Sequence, residues 1–232
     1  IMQKVVEAYM KAHPDVKISV SGGGSGNGIK ALIDGATDVA MASRAMEAKE
    51  IDLAKSKNIA PKQIVCAIDA IVPVVNPANK LTEITTDQLK DLYMGKITSW
   101  KDLGGEGPVV VISRDTSSGT YETWEGLVMK KERVFPGALM QASSGAVVQA
   151  VSKNKNALGY VGIGYLDAST KGLKVNDVEA TPENAKSKKY PVSRDLYLYT
   201  NGAPSGAAKG LVDFLLSAEG QKLVKEAGFV PL

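Results

Sequence analysis

The polar turn before a predicted helix has the residue types of an oxyanion site: Arg114, Ser118, Gly119 and Thr120. An apolar stretch typical of a strand, 109–112, comes directly before it. A helix start presents unpaired backbone N–H groups and the positive end of the helix dipole, and the arginine and hydroxyls add further donors. We expect a small tetrahedral oxyanion to fit there. The alternative is a Ser/Thr helix cap beside a surface arginine.

A second turn of this kind lies in the glycine-rich stretch 21–28, between a strand-like segment and a helical pattern. Its glycines allow the backbone to approach a ligand closely, and Ser25 can donate a hydroxyl at the helix start. The alternative is a flexible linker. No Lys-Ser/Thr pair follows Gly28, and the third glycine of a dinucleotide motif is missing, so we expect an anion other than a nucleotide.

The elements that must position these turns alternate between strands and helices, which is typical of the α/β class. The pattern predicts a capping box at Thr85 and Gln88 and two helices at 207–216 and 219–227. Proline-containing stretches at 73–77 and 191–195 indicate two crossings between lobes. Strands are predicted at 16–20, 39–41, 64–68, 71–75, 109–112, 158–161 and 196–200.

Composition excludes several classes of protein. The chain has 232 residues, of which 44% are hydrophobic, so it can bury a core. A net charge of +3 is too small to favour nucleic acid as a partner, and the apolar runs are too short to span a bilayer. The lone histidine, His13, precedes a proline at a predicted helix end, so a serine triad lacks a base. We therefore expect no catalytic residues, and the ligand spacings predict neither a metal site nor a cofactor.

The order and spacing of several short motifs resemble those of the PstS-type phosphate-binding proteins, the substrate-binding components of phosphate ABC importers. The resemblance covers nearly the whole chain. The motifs are Gly24-Ser25-Gly26, Ala42-Ser43-Arg44, Ile68-Asp69-Ala70, Val74-Val75-Asn76-Pro77, Leu92-Tyr93-Met94-Gly95-Lys96-Ile97 with Trp100, Arg114 with Ser118-Gly119-Thr120, Gly159-Tyr160-Val161-Gly162, Gly220-Gln221 and Gly228-Phe229-Val230-Pro231.

This resemblance implies a type II periplasmic binding protein fold, in which two α/β lobes joined by a two-segment hinge close on the ligand. We predict lobe 1 at 1–74 plus 195–232 and lobe 2 at 75–194. Family members usually begin with a strand and a ligand-binding turn that this sequence lacks at its start. We expect either that this part of the site precedes Ile1 or that lobe 1 lacks its first strand and one phosphate contact. The resemblance also implies a monomer, free or lipid-anchored outside the cytoplasm, with inorganic phosphate and a membrane permease as partners.

The resemblance places Ser25 and the N–H groups of Gly26 and Asn27 on one side of the ligand. It places Arg114, Ser118, Gly119 and Thr120 on the other side. Ser43 and Arg44 follow a family variant that has Ser-Arg where other members carry aspartate. Arg44 then either adds a second positive charge or forms a surface salt bridge. Ser144 is either a peripheral donor or a plain helix cap.

Asp69 is the candidate acceptor for the proton that hydrogen phosphate carries near neutral pH. It interrupts an apolar run, and a buried carboxylate needs a partner. Sulfate would instead bring a bare oxygen against it. The alternative is that Asp69 pairs with Arg44, Arg114 or backbone N–H groups, and the two interpretations can both hold. A receptor for sulfate or molybdate, or a phosphate-ester hydrolase, is the alternative function.

Overall fold

The computed structural model describes residues 1–22, 24–116 and 118–232. Gly23 and Ser117, which belong to the two predicted anion-binding turns, lie outside the described residues. Contacts divide the chain into two compact units: unit 1 comprises Ile1–Ile68 and Asp195–Leu232, and unit 2 comprises Asp69–Arg194. Unit 2 thus begins six residues before the lobe predicted at 75–194.

Helices and strands alternate along much of the chain, which confirms the predicted α/β class. The helices are α1 Met2–Ala12, α2 Ser25–Ile33, α3 Ala48–Ser56, α4 Thr86–Tyr93, α5 Gly119–Leu127, α6 Ser144–Lys153, α7 Pro182–Lys186, α8 Gly206–Leu216 and α9 Ala218–Glu226. The strands are β1 Ala40–Ala42, β2 Pro61–Val75, β3 Glu83–Ile84, β4 Val110–Arg114, β5 Leu139–Gln141, β6 Ala157–Gly162, β7 Lys171–Gly172, β8 Lys174–Val175 and β9 Ser193–Asn201.

In unit 1, β1 pairs antiparallel with β9, with Met41 opposite Leu198, and β9 lies beside β2. Helices α1, α8 and α9 bury apolar side chains against this layer, among them Val5, Leu215 and Val224. Helix α2 lies on β1 at such short range that a Cβ on Gly28 would come 2.9 Å from the carbonyl oxygen of Met41. The start of α2 is therefore fixed on the edge of the sheet.

In unit 2, the second part of β2 pairs antiparallel with β6, β6 pairs parallel with β4, and β4 pairs parallel with β5. Helix α6 covers this layer through Val147 and Val151. Tyr160 of β6 stacks on Trp124 of α5, with ring centroids 4.3 Å apart. These contacts fix α5 and α6 at the end of β4, where Arg114 is the last residue.

Two strand predictions differ from the structure. Residues 16–20 do not form a strand; Val16, Ile18 and Val20 alternate toward the core of unit 1 and pack there without strand pairing. The two strands predicted at 64–68 and 71–75 are one continuous strand, β2, with Asp69 inside it. The capping box of α4 is confirmed, because Thr85 Oγ1 accepts a hydrogen bond from the Gln88 N–H and Gln88 Oε1 accepts one from the Thr85 N–H.

Within the described part of the chain, no helix combines the length and the apolar character that crossing a bilayer requires.

Gly28→Ala tests the close packing of α2 on β1. We expect it to lower the free energy of unfolding by about 1–3 kcal/mol, because the new Cβ forces the helix off the Met41 carbonyl. Gly126→Ala in α5 is the matched control: its Cβ would meet nothing within 4 Å, so the better helix propensity of alanine should leave stability equal or raise it by up to about 1 kcal/mol. Urea unfolding measures both variants, and equal stabilities would contradict the packing argument.

Candidate functional site

The first candidate turn lies at the start of α2 in unit 1. Gly24 precedes the helix with φ of +85°, a conformation that favours glycine. Ser25 is buried, and its Oγ accepts a hydrogen bond from the Ser43 N–H at 3.0 Å and lies 3.0 Å from Ser43 Oγ. Gly26 and Asn27 follow in the exposed first turn. The structure therefore brings Ser43 against Ser25 at the start of α2, where Gly26 and Asn27 form the first turn.

Arg44 lies beside this turn and has a carboxylate partner. Its guanidinium donates two hydrogen bonds to Glu50, at 2.8 and 2.9 Å, and a Cβ on Gly26 would come 3.6 Å from its Nη2. Glu50 also accepts from the Glu47 N–H and so caps α3. The hydrogen bonds from Arg44 are the main cause of the lowered pKa of Glu50. The salt bridge considered for Arg44 is present, and it places the cation next to α2.

Arg114 lies at the end of β4 in unit 2 and is held in one orientation. Its Nε donates to the Gln141 carbonyl at 3.1 Å, its Nη1 to Ser144 Oγ at 3.0 Å, and its Nη2 to the Ala142 carbonyl at 3.3 Å. Its backbone N–H donates to Tyr160 Oη at 3.1 Å. Carbonyls and a hydroxyl orient the guanidinium, and the Asp115 carboxylate lies 3.8 Å from its Nη2, farther away than the Glu50 oxygens that hold Arg44 at 2.8 and 2.9 Å.

The start of α5 follows Arg114 through a short turn, in which the Ser118 N–H donates to the Asp115 carbonyl at 3.1 Å. Ser118 is the helix cap, since its Oγ accepts from the Tyr121 N–H. Gly119 and Thr120 form the first helical positions, where the N–H groups and the helix dipole favour an anion. The cap role considered for this segment is thus present. Binding of an anion at these N–H groups stays a prediction.

Ser144 has a different role from the helix cap considered for it. The cap of α6 is Ser143, whose Oγ accepts from the Ala146 N–H at 3.1 Å. Ser144 is buried one position later, and its Oγ accepts the hydrogen bond from Arg114 Nη1. Ser144 therefore orients Arg114.

Asp69 lies inside β2 and is 5% exposed. Its Oδ2 accepts a hydrogen bond from Thr123 Oγ1 at 3.4 Å and lies 3.9 Å from Arg194 Nε. Burial raises the pKa of the Asp69 carboxyl, and the charge of Arg194, with hydrogen bonds from Thr123 and the Ala70 backbone, opposes this rise. Of the partners considered for Asp69, a backbone hydrogen bond from Ala70 is present, and the arginine beside the carboxylate is Arg194 instead of Arg44 or Arg114.

Thr123 and Arg194 lie against Asp69, although neither is among the candidate residues predicted from the sequence. Arg194 Nη2 donates to the Gly119 carbonyl at 2.7 Å, and Thr123 Oγ1 lies 2.9 Å from the same oxygen. The single hydroxyl proton of Thr123 is therefore shared between this carbonyl and Asp69 Oδ2. Thr123 lies one helical turn after Gly119, a spacing that could have indicated it. Arg194 has no such spacing relation to another candidate residue, and the stretch 191–195 indicates only a crossing between lobes.

No group of histidine, cysteine, aspartate and glutamate side chains in ranges 1–22, 24–116 and 118–232 could hold a metal ion. The donors collected here are instead arginines, hydroxyls and backbone N–H groups, which suit an oxyanion.

Residues 1–219 match the sequence model of the PBP superfamily domain. The phosphate-binding protein PstS of Staphylococcus saprophyticus is 33% identical, over all of this chain and 76% of that protein. A Clostridium perfringens protein, assigned as a phosphate ABC transporter substrate-binding protein and solved with bound phosphate, is 35% identical, with a TM-score of 0.79 over 100% of this chain and 94% of that one. An ABC-type phosphate transport receptor from Vibrio cholerae is 31% identical, with a TM-score of 0.88 over 100% and 95%.

Glu50→Gln tests whether the carboxylate fixes Arg44 beside α2. The pKa of Glu50 is lowered below its ordinary value of 4.5 in the folded protein, so its ionised form stabilises the fold above pH 4.5 and this contribution is lost as the pH falls through the lowered pKa. We expect the variant to be less stable by about 1–2 kcal/mol at pH 7 and to match the unmodified protein at the acid end. Urea unfolding from pH 3 to 7 measures this difference.

The matched control is Glu106→Gln, because Glu106 lies exposed in a loop. A difference for Glu50→Gln that stays constant over the whole pH range would rule out the ion pair as its source.

Proposed function

Because the chain belongs to the PstS-type phosphate-binding proteins of the PBP superfamily, with the type II periplasmic binding protein fold, we propose that it binds inorganic phosphate and delivers it to an ABC-type importer. The observation that carries this proposal is the orientation of Arg114 by three side-chain hydrogen bonds, one short turn before the start of α5. A planar guanidinium held in place can grip two phosphate oxygens.

The phosphate contacts in unit 2 are Arg114, the hydroxyls of Ser118 and Thr120, and the N–H groups at the start of α5. Arg114 supplies the positive charge, and Ser144 keeps its guanidinium in orientation. Helix α5 adds the positive end of its dipole. This set binds a tetrahedral oxyanion of any kind, so it provides affinity rather than selectivity.

The phosphate contacts in unit 1 are Ser25 and the backbone N–H groups of Gly26 and Asn27. Arg44 supplies a second cation beside them. Its pairing with Glu50 reduces the net charge it offers, so Arg44 contributes less to the attraction of the anion than Arg114 does.

Asp69 supplies the selectivity. Hydrogen phosphate donates its O–H to the carboxylate, whereas sulfate has no proton to donate and is repelled by the buried charge.

The known relatives carry names that describe binding and transport, which supports a binding protein without catalytic turnover.

The same family membership supports a place of action outside the cytoplasmic membrane, where the protein meets its ligand and the permease. The partner is the membrane permease of a phosphate ABC importer, and the protein acts as a monomer.

Arg114→Ala removes the main cation proposed to bind phosphate. We expect phosphate binding to weaken by about 2–5 kcal/mol, the scale for deleting one side of a buried charge-assisted pair. Isothermal titration calorimetry with phosphate measures the change. Arg133→Ala, at an exposed arginine of the same unit, should bind as the unmodified protein does. Near-equal affinities of the Arg114 and Arg133 variants would remove Arg114 from the site.

Asp69→Asn tests the proposed acceptor. An amide can donate to sulfate and carries no charge, so the preference for phosphate over sulfate should fall by about tenfold or more. A calorimetric competition between the two anions measures the ratio of affinities. Asp87→Asn is the control, because the Asp87 side chain is 85% exposed. Unaltered discrimination in the Asp69 variant would sink the acceptor role.

A further inference from the structure

We propose that Arg194 is a positioning residue that sets the selectivity for a protonated oxyanion, because it keeps the Asp69 carboxylate in place as a hydrogen-bond acceptor. This inference rests on the proposed binding of phosphate and extends it to a residue outside the predicted contacts. Arg194 acts through Asp69, and its effect is therefore on the choice between anions.

The distance between the two charged groups supports this role. Arg194 Nε lies 3.9 Å from Asp69 Oδ2, and the two side chains are 14% and 7% exposed. Nε is buried and has no hydrogen-bond partner among the described residues. Arg194 thus compensates the charge of the carboxylate by proximity, without using its lone pairs in a direct hydrogen bond.

Both side-chain contacts of Asp69 are made to Oδ2, since Thr123 Oγ1 also lies near that atom at 3.4 Å. The Ala70 backbone adds a further hydrogen bond to the carboxylate. A carboxylate has about four lone-pair positions, so Asp69 with its charge compensated can still accept the O–H of a ligand.

Arg194 also connects Asp69 to the proposed phosphate donors. Its Nη2 donates to the Gly119 carbonyl at 2.7 Å, in the first turn of α5. The same carbonyl accepts from Thr123 Oγ1, which in turn faces Asp69. The Arg194 guanidinium therefore fixes the Asp69 carboxylate on β2 relative to the start of α5, where Ser118 and Thr120 lie.

The protonation of Asp69 makes this role measurable. Burial raises the pKa of the Asp69 carboxyl, and Arg194 is the main charge that opposes this rise. The charge of Glu122 on α5, like that of Asp69, raises the pKa of Arg194. Without the guanidinium, the charge that opposes this rise is gone, so the pKa of Asp69 rises further and the protonated carboxyl is favoured more strongly. It then donates a hydrogen bond to either anion, so phosphate loses its advantage over sulfate.

The experiment compares phosphate and sulfate affinities by competition calorimetry from pH 6 to 9 for the full chain. We expect Arg194→Met to reduce the ratio of phosphate to sulfate affinity by about tenfold at pH 7, with recovery as the pH rises and Asp69 ionises. Arg194→Lys retains a positive charge and should keep most of the preference for phosphate over sulfate. Arg133→Met is the control at an exposed arginine. Arg194→Gln keeps a donor for the Gly119 carbonyl and provides the same test if the methionine variant does not fold.

A double variant separates positioning from a direct contribution. If Arg194 acts through Asp69, adding Arg194→Met to Asp69→Asn should not change the ratio further. An additional loss in the double variant would overturn the inference. So would an Arg194→Met variant in which both affinities fall equally, because that result indicates a structural role only. Failure of the unmodified protein to bind phosphate would instead overturn the proposed function itself, and this inference with it.

Discussion

Burying an ionised carboxylate inside an apolar strand costs several kcal/mol unless a charge and hydrogen bonds compensate it. Asp69 lies in β2 with fully buried apolar neighbours, Ala70 and Ile71 among them. The compensation comes from Thr123 of α5 and Arg194 of β9, so this one charge fixes the positions of two other elements. The proposed phosphate donors at the start of α5 are held in place by the same contacts, because the Gly119 carbonyl accepts from both Thr123 and Arg194.

The arginines of the two units show how the same side chain serves different purposes. Arg44 is gripped by Glu50, so its charge is largely offset where it lies. Arg114 is oriented by two carbonyls and the Ser144 hydroxyl, and the Asp115 carboxylate lies 3.8 Å from its guanidinium. Arg194 offsets a carboxylate at longer range. In the proposed function, Arg114 provides affinity for the anion, and Arg194 contributes to selectivity through Asp69.

The sequence predicted what depends on neighbouring residues and missed what depends on distant ones. The α4 capping box, the start of α5 after Arg114 and the α/β alternation are local patterns, and the structure confirms them. The segment 16–20 has the alternation of a strand, but pairing requires a partner that local sequence does not specify. Asp69 was correctly expected to be buried, whereas its partner Arg194 is far away in the chain and reaches it only through the pairing of strands.

Unit 1 is built from two stretches of chain, Ile1–Ile68 and Asp195–Leu232, whereas unit 2 is a single continuous stretch. Strand β1 pairs with residues 197–199 of β9, so this pairing cannot form during synthesis until those residues have been made. The contacts of unit 2 become available earlier. The connectivity therefore implies an order of folding during translation. Arg114 and the start of α5 can reach their positions in unit 2 before β9 is available to pair with β1.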